Sequence, residues 1–175
     1  MKQKIKRVML VFPAAALTIV IYIFLHEIGH LIVMVSAGAT ITDFSILTAH
    51  VSAMGGEYTY LSDLWLHANG ALLPVAIGFL NMILYNPRFE NTFYRFFTYM
   101  LALMPIGSLF AWIFLPVAYV NGNAPAADDV TKFLDIFSRN CHPLLVSLAA
   151  MIMVGSGVAL MLKKRMFQNF IAEIR

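Results

Sequence analysis

The chain has 175 residues, of which 61% are hydrophobic and only 12% charged, with a formal net charge of +3. A water-soluble domain of this length needs about twice that charged fraction to cover its surface. The small positive excess sits near the chain ends, which excludes a nucleic-acid footprint and points to lipid headgroups. The single cysteine, Cys141, excludes an internal disulfide and a thiolate zinc site.

The apolar residues run in four blocks long enough to span a bilayer, about 8–37, 64–85, 93–120 and 143–162. These predict one membrane-embedded unit over 1–175, all-α apart from one hairpin. Lys2, Lys4, Lys6 and Arg7 ahead of an apolar stretch, with Ala37-Gly38-Ala39 after it, have the outline of a secretory signal. The stretch is about twice the usual length of such a signal and contains Glu27 and two histidines, so it is read as a retained span. At about 1.5 Å per residue the first and third blocks exceed the ~30 Å hydrocarbon core, so they tilt, kink or protrude. Pro13 is placed to start or kink the first, and Pro105 and Pro116 to bend the third.

Between the first two spans lies Thr40–Asp63, with partial alternation, β-branched and aromatic residues and a Gly55-Gly56 pair. This reads as a β-hairpin over about 40–61, re-entrant between the first and second spans. The loop near 121–142 carries Gly122, Pro125 and Asp128-Asp129. Ten of the twelve Lys and Arg fall at the chain ends or in 86–95, and only Lys132 and Arg139 in the other loops. The positive-inside rule then puts both termini in the cytoplasm.

His26 and His30 stand four residues apart in the first span, so a helix turns both imidazoles to one face. That spacing suits one zinc ion, and the intervening Glu27 is placed to take a proton from zinc-bound water, whose pKa falls towards ~7. A charge inside a span costs at least ~2.5 kcal/mol on insertion scales, so the cluster is a functional candidate by position alone. Competing readings are a polar cluster that only joins helices, and a proton-coupled transporter using Glu27 and the histidines. Gly29 would let another helix or a substrate approach the backbone.

Zinc held by two helix histidines needs one more protein ligand and leaves a fourth position for water. Asp129, Asp128 and Asp135 are the candidates, with helix N-capping the competing role for Asp128. In His67-Ala68-Asn69-Gly70 at the second span, Asn69 is a candidate donor to substrate backbone or oxyanion, against a reading as interfacial polar residues. His50 and His142 read as loop or interface residues, and Glu57 as a solvated turn carboxylate.

His26-Glu27-Ile28-Gly29-His30-Leu31, then Gly38 and Asp43-Phe44-Ser45-Ile46, resemble the site-2 protease family over about 8–85. The resemblance implies a multi-pass intramembrane zinc metalloprotease, with one zinc held by two histidines and an aspartate. Asp129 is the favoured match and Asp128 the alternative. The family's asparagine–proline spacing is not kept and no glycine follows the aspartate, so the likeness is to divergent bacterial branches and a bacterial cell membrane. Gly70 corresponds to a glycine of the family's small-residue motif, with Ala71 where proline is usual.

The implied substrate is a membrane protein or membrane peptide, and a non-proteolytic homologue that binds membrane partners is the alternative. Peptide hydrolysis needs an extended chain, so the hairpin, with Gly55 and Gly56, is a candidate substrate edge. The charge rule puts His26 about 27 Å along the first helix, near the outer leaflet, whereas the family resemblance implies a site nearer the cytoplasm. Both depths stay open at this point.

Overall fold

The structure is a computed structural model that describes residues 2–175, with side chains from Ile5 onward. The first span is a helix in two pieces, α1 (Lys2–Met9) and α2 (Val11–Ser36). The break at Leu10 lies just ahead of Pro13, which has no N–H to give the Met9 carbonyl. A hairpin follows, β1 (Thr40–Ser45) and β2 (His50–Met54), then α3 (Tyr60–Leu84) and α4 (Thr92–Val120). The short α5 (Asp129–Phe137) leads to α6 (Leu144–Lys163) and a terminal α7 (Met166–Ile174).

Four helical stretches, Ile5–Ser36, Tyr60–Leu84, Thr92–Val120 and Leu144–Lys163, are long and apolar enough to cross a bilayer. Their bounds follow the sequence expectation within a few residues. The largest shift is at α3, which starts four residues earlier because Thr59 and Ser62 form a reciprocal N-terminal cap. The strands accordingly end at Met54, short of the expected 61. α4 runs as one helix with Pro105 and Pro116 inside it.

The side-chain distribution is inverted relative to a soluble protein. Phe12, Ile32, Val35, Leu84, Phe114 and Ile152 point outward, while Thr18, Glu27, His30, Thr98, Ser147 and Glu173 are buried. Such a surface is compatible with an integral membrane protein, for which lipid is the outer solvent. Polar bonds tie the helices from inside: Asn81 Nδ2 donates to the Thr98 carbonyl (2.8 Å) and Ser147 Oγ to the Ile113 carbonyl (2.8 Å).

The helices alternate in direction, so the end of α2, the hairpin, the start of α3, the end of α4 and α5 share one end of the bundle. The other end carries most of the basic residues, several with structural partners. Lys164 Nζ donates to the Ile83 carbonyl (2.6 Å), closing the last turn of α3. On α7, a helix the sequence reading did not anticipate, Glu173 accepts from Arg95 (2.6 Å) and Thr92 (2.7 Å). Phe170 of α7 packs edge-on against Phe96, with ring centres 5.2 Å apart.

The tightest helix contact is between α2 and α3. A Cβ on Gly29 would overlap the backbone carbonyl of Asn69, and Asn69 Nδ2 donates to the Gly29 carbonyl at 2.8 Å. A main-chain obstacle cannot rotate aside, so Gly29→Ala must push the helices apart. Gly157 offers a comparison, because a Cβ there would meet side-chain atoms of Ile106 and Phe79 and no main chain. In detergent, Gly29→Ala should lower unfolding stability by about 2–3 kcal/mol and Gly157→Ala by under about 1 kcal/mol. Equal effects in thermal or denaturant unfolding would contradict the rigid contact.

Candidate metal centre

The centre forms where α2, α3 and α5 meet. His26 and His30 project from one face of α2, as their four-residue spacing requires. Asp129 comes from the first turn of α5. His26 Nε2 and His30 Nε2 are 3.1 Å apart, and Asp129 Oδ2 lies 3.3 Å from the first and 3.2 Å from the second. The three atoms make a nearly equilateral triangle. Ligand atoms about 2.0–2.1 Å from a tetrahedral zinc lie roughly 3.3 Å from one another, so the donor set fits that ion in chemistry and spacing.

The neighbouring aspartates do other work. Asp128 is extended and caps α5, accepting from the Val130 N–H at 2.8 Å. Asp135 accepts from the Tyr119 hydroxyl at 2.9 Å. Of the three candidates, only Asp129 meets the histidines. Burial alone would raise its carboxyl, but the facing imidazoles of His26, His30 and His67 outweigh that effect. They hold Asp129 well below the usual carboxylate range, so it is an anion at any ordinary pH.

One turn of α3 frames these donors. His30 Nδ1 lies 2.6 Å from the Leu66 carbonyl. A carbonyl can only accept, so Nδ1 carries the proton and Nε2 presents its lone pair to the triangle. His26 has no equivalent anchor: its Nδ1 is buried and without a partner among the described residues. Gly70 leaves the space the rings occupy, since a Cβ there would overlap His30 Nε2 and stand 2.9 Å from His26 Cε1.

The Asn69 amide is taken up by the Gly29 carbonyl, so its donor hydrogens are not wholly free for an oxyanion. In this geometry Gly70 makes room for the imidazole rings of His26 and His30.

A cavity of about 260 Å³ opens on the triangle, lined by Glu27, Met34, His67 and Lys132 with the three donors and the start of β2. Glu27 is only 4% exposed. Among the described residues its carboxylate has no hydrogen-bond or ion-pair partner, which leaves it available to a molecule in the cavity.

His50, expected as a loop or interface residue, lines this cavity with Ala49 and Val51. It is held by Asp43 Oδ2 (2.7 Å) across the hairpin and by Thr48 Oγ1 (2.9 Å). Gly55 and Gly56 do not line the cavity. They take positive φ values of 74° and 89° at the hairpin exit, where the Glu57 N–H returns to the Ala37 carbonyl. Glu57 is exposed, and His142 lies in the α5–α6 loop.

The sequence leaves His67 open to a reading as an interfacial residue, but its ring lines the cavity. Its Nδ1 is 3.8 Å from Asp129 Oδ1 and its Nε2 is 3.9 Å from Asp63 Oδ1. The sequence carried a signal for this placement. Asp63, His67 and Gly70 are spaced i, i+4, i+7, which is one helix face.

No protein-family model matches the chain, and neither the curated proteins nor the solved structures give a match, so the donor set and its geometry are what identify this site as a candidate metal centre.

Proposed function

We propose that the chain is a membrane-embedded zinc metallopeptidase of the site-2-protease kind, hydrolysing a peptide bond in or beside a membrane segment of another protein. The observation that carries this reading is the triangle of two Nε2 atoms and one carboxylate oxygen with edges of 3.1–3.3 Å, opening on the same cavity as the buried, unpartnered Glu27. Two imidazoles, one carboxylate and an adjacent glutamate are the donor set of hydrolytic zinc sites that keep a position open for water.

His26, His30 and Asp129 would hold the ion. Zinc bound there supplies a Lewis acid that polarises the peptide carbonyl and makes a water molecule more acidic. Glu27 takes a proton from the attacking water as its oxygen bonds to the carbonyl carbon, and delivers a proton to the nitrogen as the C–N bond breaks. The hairpin serves the substrate. Ala49, His50 and Val51 line the cavity, and a two-stranded sheet has an outer edge on each strand, so an unwound segment can pair along β2 and lay its carbonyl into the site. The basic residues gather at the opposite end of the bundle, so by the charge rule the site opens towards the non-cytoplasmic face.

Purified without chelator, the protein should contain about one zinc per chain, and Asp129→Ala should lose it while Asp128→Ala keeps it. Glu27→Gln should keep zinc and fold but cut hydrolysis of membrane-segment peptides by at least ~100-fold. A wild-type protein that binds no zinc, or a Glu27→Gln variant that cleaves normally, would sink the proposal.

Sidedness has its own test. With the exposed Cys141 replaced by serine, a cysteine at Leu47, which is 99% exposed at the hairpin tip, should react with an impermeant thiol reagent added outside intact cells, and one at Arg88 should not. The reverse pattern would put the site at the cytoplasmic face.

A further inference from the structure

The proposed centre takes its third ligand from a different element than the first two, and a short one. Asp129 sits in the first turn of a nine-residue helix, reached through the loop after α4. An aspartate in such a place has several rotamers, only some of which aim an oxygen between the two imidazoles. Oδ2 is the oxygen so aimed, 3.2–3.3 Å from both Nε2 atoms. Oδ1 turns the other way, to His67 Nδ1 at 3.8 Å. Beyond that ring, His67 Nε2 faces Asp63 Oδ1 at 3.9 Å, one turn earlier on α3. Both gaps exceed a direct hydrogen bond by about an ångström, a distance that a small rotation of either side chain removes. The imidazole is largely buried, at 18% side-chain exposure, between carboxylates that are 30% and 40% exposed.

Resting on the metal-centre reading above, we propose that His67, backed by Asp63, is a positioning residue that holds Asp129 in its ligating rotamer through the oxygen turned away from the histidines. The same turn of α3 already fixes His30 through the Leu66 carbonyl. With His67 it fixes the aspartate too, so one turn of one helix orients ligands from both of the others. His67 is not itself part of the ligand group: the three atoms that lie within 4.8 Å of one another belong to His26, His30 and Asp129. Groups that orient a ligand in this way typically change metal affinity 10–100-fold when removed.

Zinc affinity of the full-length protein in detergent, measured by competition with a chromophoric chelator, tests this without reference to cleavage. His67→Ala should weaken zinc binding about 10–100-fold, while His142→Ala, in the loop before α6, leaves it unchanged. His67→Gln keeps an N–H donor at similar reach and should recover most of the loss. Asp63→Ala should produce a smaller loss in the wild-type background and none in the His67→Ala background, because it acts through that ring. Helical circular dichroism and the thermal midpoint report folding, and if His67→Ala is unfolded, His67→Gln and Asp63→Ala carry the test.

Wild-type affinity in His67→Ala, alongside lost affinity in Asp129→Ala, would overturn the role of His67 and leave the metal centre standing. Equal loss in His67→Gln and His67→Ala would make the ring a ligand and overturn the positioning role. A wild-type protein that binds no zinc would overturn both readings.

Discussion

The approach of α3 to α2 at Gly29 and Gly70 is the constraint on which the rest of the site depends. Neither glycine tolerates a Cβ: at Gly29 it would strike the main chain of the other helix, and at Gly70 the ring of His30. At this separation one turn of α3 reaches His30 and the Gly29 carbonyl of α2. The Leu66 carbonyl fixes the His30 tautomer, and Asn69 adds a second bond to the Gly29 carbonyl. Widening the gap by one methyl group would loosen packing and ligand orientation together. Stability and site geometry are therefore one property of this pair of helices.

The second organising feature is where charge is tolerated. Glu27 and His30 are buried in α2, at a cost of at least ~2.5 kcal/mol for an ionised group in a span. Asp129 reaches the two imidazoles from outside the spans. Its helix, capped by Asp128, carries apolar residues on its buried face, with Leu134 at 0% and Val130 at 3% exposure. That face seats α5 against the bundle and sets Asp129 over the histidines. At the far end, the Arg95–Glu173–Thr92 group works differently. It is a closed set of partners with every carboxylate oxygen engaged, which is what a structural polar cluster looks like. Glu27, with no partner among the described residues, is the contrast.

Much of this was legible in the chain because the governing signals are local. The four spans follow from hydropathy and length, the hairpin from alternation and the Gly55-Gly56 pair, and the His26–His30 pairing from helical spacing. What was not legible depends on packing between distant segments. Three aspartates lie within eight residues, Asp128, Asp129 and Asp135, and sequence alone cannot fix which one the tertiary fold turns towards α2. Capping chemistry favoured Asp128 as the cap, and the structure agrees.

His67 was undervalued because its partner is 62 positions away in sequence. His50 was undervalued because a strand residue's face depends on register. The turn over 46–49 closes the hairpin with His50 opposite Ser45, a register the alternation of the strands does not fix. The helix α7 was missed because its nine residues follow a basic cluster that, read alone, looks like a headgroup contact.

The distribution of ionisable residues also weighs between the chemistries open to this site. A proton-coupled transporter needs groups that can pass a proton along the whole path across the bilayer. Here all five histidines and seven of the nine acids sit at the end that holds the His26–His30–Asp129 triangle, and the other two acids, Glu90 and Glu173, lie at the far end. Residues 8–25 of the first span contain no Asp, Glu, His, Lys or Arg, and neither do 68–87, 96–127 or 143–162. From His26 back to Val8, where the apolar run of the first span begins, is about 27 Å, and the buried polar groups over that distance, Thr18 on α2 and Thr98 on α4, are hydroxyls bonded to carbonyls of their own helices. A relay there would have hydroxyls, Tyr22 and Ser108 among them, but no carboxylate or imidazole. A site that is polar at one level, opens on a cavity and ends in apolar packing suits a reaction carried out and finished in place, and water entering from the near end is the only co-reactant that peptide hydrolysis requires.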